Sequence, residues 1–246
     1  MLHGYSDTHR SFDLVRPLLP RAWRVIAVTQ RGHGHSDKPY SDYAMGDFAG
    51  DVPALLDALE IERAVIVGHS LGAAVALRAA ADYPERVAGL ALIGGFADFR
   101  GNAGVVELCD LVGRFGEQID PVFVRSFQAS TIAAAMSQAF IEFVSNESMR
   151  CPTRAWKGVA QALMECDPLG DAARVKAPSM LIWGDKDGFA PRADQYALRR
   201  ALPAARLVTL SGAGHAPLWE RTADTAACLR AFVTDIDEPR LVADAI

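Results

Sequence analysis

Cysteine is scarce and scattered in this 246-residue sequence. Cys109, Cys151, Cys166 and Cys228 form no C-x-x-C pair. That spacing argues for reduced, mostly buried thiols in a cytoplasmic protein and against a disulfide framework. Positive charge is also in short supply, 25 Lys and Arg against 30 Asp and Glu, for a net charge of −5. With no Lys/Arg run anywhere, a nucleic-acid surface is excluded as a working hypothesis. No apolar run approaches the roughly 18 residues that span a bilayer, so no membrane partner is expected. Met1-Leu2-His3-Gly4-Tyr5 has neither the basic nor the apolar region of a signal peptide. Internal repeats and low-complexity tracts are absent. Sequence is also short ahead of the first loop. His3-Gly4-Tyr5-Ser6-Asp7 reads as a loop that follows a strand, yet only Met1 and Leu2 precede it, and a strand needs about five residues.

What is present is an ordinary globular composition, 50% apolar and 22% charged, enough for one α/β domain with or without an insertion. Its focus is Val65-Ile66-Val67-Gly68-His69-Ser70-Leu71-Gly72-Ala73-Ala74. A β-branched run ends in Gly-x-Ser-x-Gly, and small residues then open an Ala-rich helix. This is the context of a nucleophile elbow, with serine at the tip of a sharp strand-to-helix turn. Gly68 and Gly72 flank a turn too tight for side chains at those positions.

The rest of the chain alternates. Ser11 to Leu19 is a short helical candidate ended by Pro20, and Arg24 to Thr29 reads as a buried parallel strand. A Gly-rich loop, Arg31 to Pro39, follows. Met45, Phe48, Val52, Leu55, Leu56 and Leu59 mark one face of a helix, with Pro53 expected to kink it or to force a restart near Asp51. Strands are predicted at 64–67, 87–93, 179–183 and 206–210, and helices at 71–83, 192–201 and 218–233. Between Phe96 and Gly170 strand patterns vanish, and helical segments are predicted at 105–115, 121–130, 135–149 and 153–165. The pattern predicts a doubly wound, mostly parallel sheet built from residues 1–95 and 171–246. Residues 96–170 are expected to form an all-helical cap at the ligand-binding end of the sheet. Residues 235–246 read as a loose acidic tail.

A serine hydroxyl needs an adjacent base, which a third group must orient. After the elbow, Trp183-Gly184-Asp185-Lys186-Asp187 follows one strand and Ser211-Gly212-Ala213-Gly214-His215-Ala216-Pro217 the next. His215 is the sole histidine after the elbow. With these residues in place the chain resembles the α/β-hydrolase-fold serine hydrolases, esterases and lactonases with a helical cap, over nearly its whole length. The resemblance implies the triad order Ser70, Asp187, His215, with Asp187 in the family's G-x-x-D position and His215 in its G-x-G-H-x-P position. It implies an oxyanion hole from the backbone N–H groups of Leu71 and Tyr5, and no metal or organic cofactor. It also implies about 20–25 further residues upstream of Met1, since the fold places the strand before the His-Gly loop inside the sheet. Asp185 and Asp98 are alternative positions for the acid. His3 and His69 are expected to hydrogen-bond neighbouring backbone.

His33-x-His35-x-Asp37 looks like part of a metallo-β-lactamase signature, but Lys38 stands where that signature has histidine, and an Arg-Gly-x-Gly-x-Ser loop explains the segment. Of the cap aromatics, Phe127 and Trp156 are expected to line an acyl pocket and the rest to pack the cap. Serine at the elbow points to acyl transfer on small to medium apolar esters or lactones, by a monomer or homodimer. The alternatives are carbon–carbon bond hydrolysis or perhydrolysis on the same triad, and a low-turnover ligand receptor. Carbon–carbon cleavage would want a cap arginine near the substrate, with Arg125, Arg150 and Arg154 available.

Overall fold

In the computed structural model, which describes residues 1–237, four parallel strands lie side by side in chain order. They are β1 (Ala64–His69), β2 (Val87–Ile93), β3 (Ser179–Gly184) and β4 (Arg206–Leu210). Parallel neighbours need long crossovers, and the predicted helices supply them. The inner strands are apolar throughout because both faces are covered. Ile66, Leu90, Leu92 and Leu181 point into one core, with the β1–β2 crossover helix. Val67, Ala91, Ile93, Met180 and Ile182 point into the other, against Leu229 and Phe232. The period of two in these strands thus divides one apolar run between two cores.

Helix α1 (Met45–Ala58) runs through Pro53 without a second start at Asp51. Its first turn is closed by the Asp47 carboxylate, which accepts from the Ala44 N–H at 2.8 Å. Helix α2 (Leu71–Asp82) follows the elbow and is buried along most of its length, as its Ala-rich sequence allows. Between β2 and β3 come α3 (Ala103–Gly113), α4 (Pro121–Ser130), α5 (Gln138–Ser148), α6 (Thr153–Glu165) and the short α7 (Pro168–Ala172). Caps set the boundaries where they differ from the periodic pattern. Asn102 accepts from Val105 N–H and starts α3 two residues early. Ser137 accepts from Phe140 N–H and starts α5 at 138 rather than 135. Asp167 accepts from Gly170 N–H and starts α7, which hydrophobic periodicity did not show. α3 packs on α6 and α4 on α5.

The last segments are α8 (Arg192–Ala201), α9 (Pro217–Glu220) and α10 (Thr222–Asp237). The single helix expected at 218–233 is therefore two, because Arg221 has non-helical backbone (φ −130°, ψ 50°). The expected acidic tail lies, from residue 238 on, outside the described residues. No helix among the described residues is long and apolar enough to cross a membrane.

Two N-terminal expectations need correction. The helix expected at 11–19 is a pair of 3-10 turns, His9–Phe12 and Arg16–Leu18. The buried strand expected at 24–29 is a half-buried extended segment with one bridge, Val28 to Leu2. Leu2 lies between that segment and β1: it donates to Val67 O at 2.8 Å and accepts from His69 N–H at 3.0 Å. Met1 joins Leu2 there by donating to Ile26 O at 2.7 Å and accepting from Val28 N–H at 3.0 Å. A cleft of about 1240 Å³ opens beside them, and none of Ser70, Asp187 and His215 lines it.

Candidate active site

The elbow fixes the site. Ser70 has φ 53° and ψ −113°, a left-handed backbone for a residue with a side chain, which lifts its Oγ off the end of β1. The turn is tight enough that a Cβ on Gly68 would stand 2.1 Å from Gly72 O, and one on Gly72 would stand 2.2 Å from Leu2 O. Both obstacles are backbone, which cannot swing aside. Gly72→Ala is therefore expected to lower stability by about 2–3 kcal/mol, through displacement of the Leu2–His3 backbone. Equilibrium denaturation checks this, and an unchanged midpoint would contradict it.

His215 and Asp187 reach the serine from the C-terminal ends of later strands. His215 Nε2 is 2.9 Å from Ser70 Oγ, and His215 Nδ1 is 2.9 Å from Asp187 Oδ2. The Asp187 side chain is fully enclosed. Its Oδ1 accepts from the Phe189 and Ala190 N–H groups at 2.8 and 2.9 Å. Burial pushes the Asp187 pKa up, but neighbouring His215 and these hydrogen bonds outweigh burial and leave it below the ordinary value. An ionised carboxylate thus faces the imidazole and holds the proton on Nδ1, which leaves Nε2 to accept from the serine hydroxyl.

The rival acids are placed elsewhere. Asp185 accepts from Gly212 N–H at 2.7 Å and Ser211 Oγ at 3.2 Å, closing a surface turn. Asp98 is exposed and bonds Arg100 N–H. His3 and His69 bond neighbouring backbone, as their positions suggested. His69 Nε2 donates to His215 O at 2.9 Å and ties the His215 backbone to β1. His3 Nε2 accepts from Gln30 N–H, so its Nδ1 donates to Gly4 O at 2.8 Å. In the Arg31–Pro39 loop, His33 is buried with Nδ1 on Arg31 O, while the exposed His35 meets Arg150.

Leu71 opens α2, so its N–H has no intrahelical acceptor and lies one residue from Ser70. Tyr5 lines the same pocket as Ser70 and His215. Its hydroxyl donates to Trp156 O at 2.7 Å and anchors the loop to α6. Of the two aromatics expected there, Phe127 lines that pocket and Trp156 does not. The indole is fully buried behind Tyr5, with ring centroids 4.8 Å apart, and edge-on to Phe123 and Phe127. Its bulk is used to back the wall. The pocket volume is about 40 Å³, room for roughly three water-sized groups.

Several lining residues were missed from the sequence. Phe96 and Phe189 flank the imidazole, at ring-centroid distances of 5.4 and 5.2 Å. A signal for them existed: each lies within a few residues of a strand's C-terminal end, where ligands bind in this architecture. Val105, Leu108 and Leu163 line the pocket from α3 and α6, and nothing in their local pattern separates them from core positions.

A parallel sheet, a strained serine turn and a His–Asp pair on later strand ends define an α/β hydrolase. The chain belongs to the alpha/beta hydrolase family, whose model matches residues 1–228. It is 30% identical over 248 residues to a pimeloyl-[acyl-carrier protein] methyl ester esterase of Neisseria meningitidis, covering 95% of this chain and 91% of that one. Its fold superposes on an esterase from Exiguobacterium antarcticum with a TM-score of 0.86 at 21% identity, covering 97% and 91% of the two chains. It likewise matches an enol-lactonase from Burkholderia xenovorans with a TM-score of 0.85 at 24% identity, covering 95% and 89%.

Proposed function

We propose that this hydrolase cleaves carboxylic esters or lactones of small to medium apolar substrates through an acyl-enzyme on Ser70. The hydrogen-bonded chain Ser70–His215–Asp187, with both links at 2.9 Å, carries the reading. Ser70 Oγ attacks the carbonyl while His215 Nε2 takes its proton. The imidazolium formed is stabilised by Asp187, whose ionised state the surrounding hydrogen bonds favour. The Leu71 and Tyr5 N–H groups receive the negative charge on the carbonyl oxygen, each donor lowering the barrier by about 3 kcal/mol. His215 then protonates the leaving alcohol, activates a water, and the acid is released. These steps use protein groups and water alone.

An aromatic and aliphatic wall of Phe96, Phe99, Phe127 and Leu163 suits an apolar acyl group, and the small volume favours short ones. Among the described residues no cap arginine lines the pocket, so this geometry lends carbon–carbon cleavage no support. Arg125 pairs with Glu142, Arg150 with Glu147, and Arg154 bonds the Lys38 and Pro39 carbonyls.

Steady-state assay against p-nitrophenyl acetate, butanoate and octanoate, γ-lactones and vinylogous diketones tests the proposal. Multiple turnover on the short esters or lactones is expected. Turnover confined to diketones, or ligand binding without turnover, would contradict it. In the same assay Asp185→Asn should stay within about threefold of the unmutated protein, because that carboxylate only closes a surface turn.

A further inference from the structure

A buried polar cluster joins the loop after His3-Gly4 to helices α4 and α5, and the triad does not use it. Gln128 of α4 is 1% exposed. Its Nε2 donates to Asp7 Oδ1 at 2.9 Å and to Ser148 Oγ at 2.7 Å. Ser148 spends its own proton on Val144 O at 3.1 Å, so its oxygen accepts, and this fixes which end of the amide faces these two partners. The other end, Gln128 Oε1, is buried without a hydrogen-bond donor among the described residues. Gln128 and Asp7 both line the pocket that holds Ser70 and His215. A buried carbonyl oxygen left without a donor is costly and uncommon, and in a residue that lines a binding pocket it is explained when a ligand supplies the donor. Burial pushes the Asp7 carboxyl up to about 6 against hydrogen bonds from Gln128 and Ser11, so at neutral pH it too only accepts.

We propose that Gln128 Oε1, with Asp7 beside it, is an acceptor subsite that selects esters carrying a neutral hydrogen-bond donor, a hydroxyl or amide N–H, within a few bonds of the scissile carbonyl. That the bound molecule is an ester rests on the function proposed above; the acceptor subsite itself does not. An acidic chain is disfavoured by the same pair, since a carboxylate brings no donor and meets Asp7. The short reach follows from the pocket, whose volume of about 40 Å³ leaves no room for a distant group.

The test is calorimetric binding to the Ser70→Ala protein of ethyl butanoate, ethyl 2-hydroxybutanoate, ethyl 3-hydroxybutanoate, 2-hydroxyethyl butanoate and monoethyl butanedioate. At least one hydroxylated ester is expected to bind about tenfold or more tightly than ethyl butanoate. The butanedioate should bind more weakly than ethyl butanoate. Adding Gln128→Leu should shrink the hydroxyl preference to less than twofold. The proposal is overturned if no hydroxylated ester gains, as when an ordered water already satisfies Oε1, if the butanedioate binds as well as ethyl butanoate, or if the preference survives Gln128→Leu. The ester series decides the matter even where Gln128→Leu does not fold. Binding to a protein without its nucleophile is also independent of turnover. A hydroxyl preference without hydrolysis by the unmutated protein would defeat the ester-hydrolase reading alone, and hydrolysis without that preference would defeat the subsite alone.

Discussion

Ser70→Ala and His215→Ala are each expected to lower kcat on a short p-nitrophenyl ester by about 10⁴–10⁶-fold. The reason is geometric. Ser70 Oγ and His215 Nε2 lie 2.9 Å apart, so in the proposed reaction each depends on the other for the proton transfer. Removing either ends acyl-enzyme formation, so the double variant should be no worse than the single ones, a non-additivity expected of groups that act as a unit. Asp187→Asn should lose about 10⁴-fold, because the amide can donate to Nδ1 and favour the wrong tautomer of His215. Stability should change little in Ser70→Ala, since the hydroxyl's partner, His215, keeps its bond to Asp187. Steady-state kinetics beside a denaturation curve separates the two effects. A Ser70→Ala protein that retained a tenth of the activity would place the nucleophile elsewhere.

The second large effect is acid destabilisation. Burial lowers the pKa of His33 to about 4 and that of His69 to about 3, with the charge of His215 adding to the shift at His69. Burial and the neighbouring His33 also lower that of His3. A group whose folded pKa lies below its unfolded value binds its proton in the unfolded chain first. Its full stabilising contribution is present above about pH 6.5, is lost as pH falls, and the loss levels off only below the folded pKa. At pH 5, His33 and His69 each account for a loss of about 2 kcal/mol relative to pH 7.5, and His3 acts in the same direction. Asp7, with its pKa raised to about 6, runs the other way. It is destabilising when ionised and returns about 1 kcal/mol over the same interval. Asp187 contributes no change there, because its lowered pKa keeps it ionised in both states down to the ordinary carboxylate range. The net expectation is a loss of about 3 kcal/mol or more between pH 7.5 and 5, a large share of a typical domain's stability. Denaturant titrations at the two pH values measure it, and equal unfolding free energies would contradict the burial of these imidazoles.

The elbow and the hydrogen-bonded arrangement of Ser70, His215 and Asp187 were legible in the sequence because their constraints are local. Ser70 needs glycines at fixed offsets, a strand before it and a helix after it, and all of these are written within ten residues. Asp187 follows a strand whose apolar run is unambiguous, and His215 follows the short, partly exposed β4. The inner strands β2 and β3 were readable for the same reason, since burial on both faces leaves a continuous apolar mark, whereas β4 ends the strand order and is only partly buried. Helix ends shifted by two or three residues wherever a capping side chain, Asn102 or Ser137, set the start rather than the apolar face. The segment at 24–29 has a strand's composition but few partners, and composition does not report partners. Trp156 was misplaced because an aromatic on an amphipathic helix has the same signature whether it faces the pocket or the core behind it. Gln128 left no mark at all: a lone amide on α4 gains meaning only from Asp7 and Ser148, 121 and 20 residues away.

Covalent labelling tests the central claim most directly. After reaction with a fluorophosphonate, intact mass spectrometry should show one phosphonyl group per chain, and peptide mapping should place it on Ser70, with no label on Ser70→Ala and slowed labelling of His215→Ala. A label on another residue, or one that persists in Ser70→Ala, would contradict the assignment of Ser70 as the nucleophile.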